Sequence, residues 1–88
     1  MVKVIISTSN PGSGEYDLII DNGNNVRDLI AEVFNTNGAK LFELVYKVNP
    51  GKNKVPIDIT TLSDGAYFLR VQIGNTVKTL KLAKVQRK

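Results

Sequence analysis

The chain has no cysteine, no histidine and no tryptophan among its 88 residues. Lack of cysteine excludes disulfides and thiolate metal sites, leaves the redox compartment open, and puts the burden of stability on packing and sheet hydrogen bonds. Lack of histidine removes the commonest general base, proton shuttle and transition-metal ligand together, so catalysis would be hard to build here. Apolar stretches run only a few residues, far short of the roughly 20 that cross a bilayer, and no charged start with an apolar h-region marks a signal peptide. Direct membrane insertion is not expected. Acidic residues are missing from residues 65–88, where six Lys/Arg stand alone; residues 1–64 hold the other six Lys/Arg and all eight Asp/Glu, so the two segments carry +6 and −2.

What is present suits one folded domain spanning 1–88. Hydrophobic residues make up 42% and charged residues 23%, which is ordinary globular usage and far from the signature of disorder. A chain of this length buries roughly 60–65% of the surface its unfolded form exposes, enough for one modest core. Met1 directly precedes a strand-like run, so the expected organisation is a piece of a larger protein supplied with a start codon. No window shows sustained helical periodicity, whereas alternating segments recur at short intervals between turn residues.

The first expected strand is Val2 to Thr8, closed by Asn10, Pro11, Gly12, Ser13 and Gly14. Tyr16, Leu18 and Ile20 then alternate with Asp17, Ile19 and Asp21, and the strand stops at Asn22-Gly23-Asn24-Asn25. Val26 to Asn35 carries apolar residues on both parities, which suits a strand covered on both faces or a short helical stretch, and the hairpin turn that follows favours the strand. Asn37-Gly38 predicts a hairpin into Leu41 to Val48, where Phe42, Leu44, Tyr46 and Val48 share a face. Asn49 to Asn53 reads as a long polar loop. Val55, Ile57 and Ile59 follow, with Pro56 marking an edge strand or a strand start. Tyr67, Leu69, Val71 and Ile73 face inward, and Gly74-Asn75 turns the chain into Val77 to Val85. In that last segment Leu80 and Leu82 share one face and Lys81 the other. Seven short antiparallel strands at this length predict an all-β, immunoglobulin-like β-sandwich.

Candidate sites are few. Leu62, Gly65 and Tyr67 have the Leu-x-x-Gly-x-Tyr spacing of a tyrosine corner, a packing device in which the phenol hydroxyl bonds upstream backbone. The oxygen-rich run Asp21 to Asn25 lacks the spacing of a calcium loop and reads as a plain turn. Ser63 has no imidazole to activate it, and nothing fixes the separation of Asp58 and Asp64, so no catalytic residue, metal site or cofactor is expected. The basic end has no nucleic-acid module around it, and nucleic-acid binding is not expected. A carbohydrate-binding module would want exposed aromatic platforms, and parity places only Phe68 outward.

The ordered set Asn10-Pro11, Asn37-Gly38-Ala39-Lys40, Ile57-Asp58-Ile59, Leu62-Ser63-Asp64-Gly65-Ala66-Tyr67-Phe68-Leu69-Arg70-Val71, Gly74-Asn75 and Lys78-Thr79-Leu80-Lys81-Leu82 resembles the C-terminal sorting domain, type A-like, of type IX (Por) secretion cargo. The likeness covers essentially the whole chain. It implies a non-catalytic secretion signal at the end of a larger exported protein of a Gram-negative bacterium, in transit through the periplasm to the outer membrane and cell surface. It also implies recognition by the translocon and removal by a sortase-like transpeptidase that can attach cargo to surface lipopolysaccharide. Residue by residue, Pro11 falls in the Asn-Pro entry motif, Gly38 in the hairpin, Gly65 and Tyr67 in the Gly-x-Tyr motif and Lys81 in the final-strand Lys motif. Ser9 stands where a Pro commonly precedes Asn-Pro, and a cleavage linker is absent or lies before Met1.

On this resemblance Gly65 and Tyr67 are expected to hold the final strand, while Lys81, Lys84, Arg87 and Lys88 present cations to an acidic or carbonyl-rich docking surface. A sheet edge could add main-chain hydrogen bonds there, and an unprotected edge strand could also support a homodimer. The alternatives are an adhesive or spacer immunoglobulin-like module and a carbohydrate-binding accessory module, because sandwiches host unrelated functions.

Overall fold

The computed structural model describes residues 3–7, 14–23 and 27–85. Seven strands follow in order: β1 Lys3–Ser7, β2 Glu15–Asp21, β3 Arg27–Asn35, β4 Lys40–Val48, β5 Lys52–Asp58, β6 Gly65–Ile73 and β7 Thr76–Lys84. They form a three-stranded sheet, β1-β2-β5, and a four-stranded sheet, β4-β3-β6-β7, with every pairing antiparallel. This is the expected immunoglobulin-like sandwich.

Period-two alternation puts one set of side chains between the sheets. Leu18 and Ile20 of β2, Leu29, Ala31 and Val33 of β3, Val55 and Ile57 of β5, and Leu69, Val71 and Ile73 of β6 are all buried, joined by Ile59, Tyr67 and Leu82. Each large aliphatic side chain taken fully out of water contributes about 1.5–3 kcal/mol. The core therefore centres on β2, β3, β5 and β6.

Several local expectations are redrawn. The loop placed at Asn49 to Asn53 is shorter, because β5 begins at Lys52. Asn22 N donates to Gly51 O at 3.0 Å and Gly51 N to Gly23 O at 2.7 Å, which carries the β2–β5 pairing into the turn. The Asn53 side chain then closes that turn, accepting from Asn49 N at 3.0 Å and donating to Asn49 O at 2.7 Å. Asn22, read as an ordinary turn residue, is buried; its side-chain amide donates to Asn49 O at 3.3 Å and ties the end of β2 to the connection between β4 and β5. Pro56 sits on an edge strand, as its missing N–H requires.

β3 is covered on one face only: Leu29, Ala31 and Val33 are buried, while Ile30 and Phe34 are half-buried on the outer face. On β4 the face shared by Phe42, Leu44, Tyr46 and Val48 is buried only at Val48, and Tyr46 is exposed. The cause is position, since β4 is the outermost strand of the wider sheet. Phe34 pairs across strands with Phe68, so Phe68 is not the sole outward aromatic.

Candidate functional site

Residues scattered along the sequence converge at one end of the four-stranded sheet. Asn35 at the end of β3 pairs with Tyr67 near the start of β6, and Tyr67 pairs with Leu82 near the end of β7. The Gly38 hairpin, Gly65, Tyr67 and the end of β7 therefore lie together. In the hairpin, Gly38 has φ +86°, a left-handed conformation that a side chain would strain, and Asn35 Oδ1 accepts from Asn37 N at 2.9 Å and Ala39 N at 3.0 Å.

The tyrosine corner forms as the spacing predicts. Tyr67 is buried, and its hydroxyl donates to Ser63 O, four residues upstream. Leu62 is partly buried against the core, and its N–H donates to Ile59 O at 3.0 Å. Gly65 opens β6 with φ +150°, a backbone setting open to glycine and costly for other residues. Asp58 closes the preceding turn: its carboxylate accepts from Thr60 Oγ1 at 2.6 Å and Thr60 N at 2.8 Å. The Thr60 hydroxyl first, and its N–H second, hold the Asp58 carboxyl below its ordinary pKa.

The expected row of displayed cations on β7 is divided by parity. Lys81 is exposed on the outer face, in register with Phe68, which is itself in register with Phe34. Lys84 points the other way: its side chain is 11% exposed and its Nζ lies 3.5 Å from Asp64 Oδ1. That cation is engaged in holding the end of β7 to the corner. Pro11, Arg87 and Lys88 lie outside the described residues.

Two contacts that the sequence did not announce close the side of the sandwich where β7 meets the smaller sheet. Tyr16 of β2 donates its hydroxyl hydrogen to Ala83 O at 2.7 Å and accepts from Ala83 N at 3.2 Å. Lys78 of β7 donates from Nζ to Val4 O of β1 at 2.9 Å. Tyr16 had one legible signal, an inward-facing phenol whose hydroxyl needs a partner. Nothing local pointed to Lys78 or to Asp64.

The Ala83 contacts also fix the direction of the β7 backbone groups. Since Ala83 turns both its N–H and C=O away from β6, alternation turns those of Val77, Thr79 and Lys81 the same way. Among the described residues no strand pairs with β7 on that side. The end of the sheet thus combines a packed corner, an edge of unshared backbone groups and an exposed lysine.

No curated protein matches the sequence. A family model does: the secretion system C-terminal sorting domain matches over residues 9–85, from before β2 to the residue after β7. That span takes in the corner, the hairpin and the last strand, and with it the chain belongs to the family of C-terminal sorting domains of type IX secretion.

Proposed function

We propose that the translocon reads this sorting domain at the end of the sandwich built by Gly65, Tyr67 and β7. The observation that carries the reading is the character of β7: it is an edge strand, anchored by the corner and presenting Lys81 beside Phe68. Val77, Thr79 and Lys81 offer main-chain donors and acceptors for strand addition, and Lys81 adds a charge-assisted contact to an acidic or carbonyl-rich surface. Leu62, Gly65 and Tyr67 act as positioning residues. Lys84 acts through Asp64 to keep the strand end seated. Arg87 and Lys88 extend the same positive segment.

In this reading the domain performs no catalysis. It is continuous with an upstream cargo domain, carries that cargo across the outer membrane, and is then removed by a sortase-like transpeptidase that can attach the cargo to surface lipopolysaccharide. The test fuses residues 1–88 to a periplasm-targeted fluorescent reporter in a cell with a working type IX apparatus. The expected result is surface or medium accumulation that disappears in a translocon-deficient strain and falls with Lys81→Ala. Export that survives both Lys81→Ala and removal of β7 overturns the β7 mechanism. Retention of an intact, folded fusion in the periplasm returns the domain to an adhesive or carbohydrate-binding role.

A further inference from the structure

Three of the four sheet edges among the described residues carry a device that blunts them. On β1 the Val4 carbonyl is taken up by Lys78 Nζ at 2.9 Å. β5 carries Pro56 in mid-strand, which has no N–H to donate. On β7 the Tyr16 hydroxyl blunts only the end of the edge, by occupying both backbone groups of Ala83; those of Val77, Thr79 and Lys81 stay open. β4, nine residues long, carries only a bulge at its start, where Leu41 falls between the partners of Val33 and Phe34; from Phe42 to Val48 its pairing is regular and its edge has none of these devices. It also carries three of the large exposed apolar side chains, Leu41 at 40%, Val45 at 63% and Tyr46 at 37%.

The open backbone groups of β4 follow from its hairpin. Asn35 N bonds Ala39 O at 3.0 Å, so Asn35 and, by alternation, Val33, Ala31 and Leu29 direct their groups toward β4. Their register partners Phe42, Leu44 and Tyr46 direct theirs back, which leaves Glu43, Val45 and Lys47 pointing outward along the edge. The side chains of Glu43, Val45 and Lys47 also share the outer face, where all three residues are exposed.

We propose that a second copy of this chain pairs with this edge, β4 against β4, antiparallel about a two-fold axis at Val45. An isologous contact requires a self-complementary strand, and β4 is one in this register. Val45 meets its own counterpart, and each Glu43 lies opposite Lys47 of the second copy. About six reciprocal main-chain hydrogen bonds form at Glu43, Val45 and Lys47. On the inner face Leu44 meets Tyr46, covering the apolar overhang that the three-stranded sheet leaves open. Charge selects the register. Sliding the axis to position 43 sets Glu43 against Glu43, and sliding it to 47 sets Lys47 against Lys47, each a repulsive pair. Axes at 44 or 46 set one of these charges opposite Val45. The contact lies on the opposite edge of the sheet from β7, so it stands or falls independently of how β7 is read.

The test measures the mass of the purified chain by sedimentation velocity across a concentration series, with variants. Wild type is expected to convert from monomer to dimer as concentration rises. Glu43→Lys and Lys47→Glu should each weaken the dimer at least about tenfold, because attraction becomes repulsion in both symmetry-related pairs. The combined Glu43→Lys/Lys47→Glu variant should restore it. Val45→Cys should oxidise to a covalent dimer, since directly opposed hydrogen-bonded residues lie about 5.5 Å apart at Cα, within disulfide reach. Val77→Cys, on the other edge and 50% exposed, should not. A monomer at every concentration, charge swaps without effect, no rescue by the double variant, or equal cross-linking at 45 and 77 overturns the proposal.

Discussion

Tyr16→Phe isolates the contact that fastens the last strand to the smaller sheet. The substitution keeps the ring and removes only the hydroxyl, which donates to Ala83 O at 2.7 Å and accepts from Ala83 N at 3.2 Å. Both contacts are exposed, so water can take over the Ala83 groups when the hydroxyl is gone. Each bond is then worth the low end of the usual ~0.5–1.5 kcal/mol, and losing the pair costs about 1 kcal/mol. For a domain of this size that lowers Tm by about 4–8 °C in a circular-dichroism melt. The local effect is sharper than the global one. Amide exchange at Ala83 should accelerate beyond the change in global stability, whereas Leu80 and Leu82, whose amides are held by β6, should follow the global change alone. If Ala83 exchanges as in wild type while the protein stays folded, the hydroxyl is not guarding the edge and the reasoning fails.

Two further expectations concern the corner. Tyr67→Phe leaves the part-buried Ser63 carbonyl without its donor, so chemical denaturation should show a loss of about 1–3 kcal/mol, more than for Tyr16→Phe; equal or smaller loss would remove the corner as the stronger anchor. Asp58 should titrate below an ordinary aspartate by carboxyl NMR, because Thr60 favours its charged form. Its folded pKa lies below the unfolded one, so its contribution to stability is present above the unfolded pKa and is lost as pH falls through the folded value. Thr60→Ala should move the midpoint upward, and an unmoved midpoint would show that another group sets it.

The period-two recurrence of Leu18 and Ile20, and of Tyr67, Leu69, Val71 and Ile73, was enough to assign those strands their buried face. That relation is local: a strand's side chains alternate whatever it pairs with. The Asn37-Gly38 hairpin and the Tyr67 to Ser63 bond were legible for the same reason, since each spans only a few residues. Reading failed where burial depends on neighbours from elsewhere in the chain. Tyr46 has the parity of a core residue, yet β4 is outermost in its sheet and leaves it exposed. Lys84 shares the parity of Leu80 and Leu82, so its inward direction was legible although it was read as a displayed cation; what the sequence lacked was its partner, Asp64.

From the sequence alone came the all-β class, the seven strands, the inward face of most of them, the tyrosine corner and the family resemblance that the matched family model bears out. Those follow from period-two patterning, turn chemistry and short-range spacing. The tertiary structure decided the division into three and four strands, the edges, and the meeting of Tyr16 with Ala83 and of Lys78 with Val4 across 67 and 74 residues. Pairing partners are chosen by packing summed over both sheets, and one strand's pattern is compatible with many neighbours. Only the folded arrangement shows which edge strand is fastened by Tyr16 and which is left open.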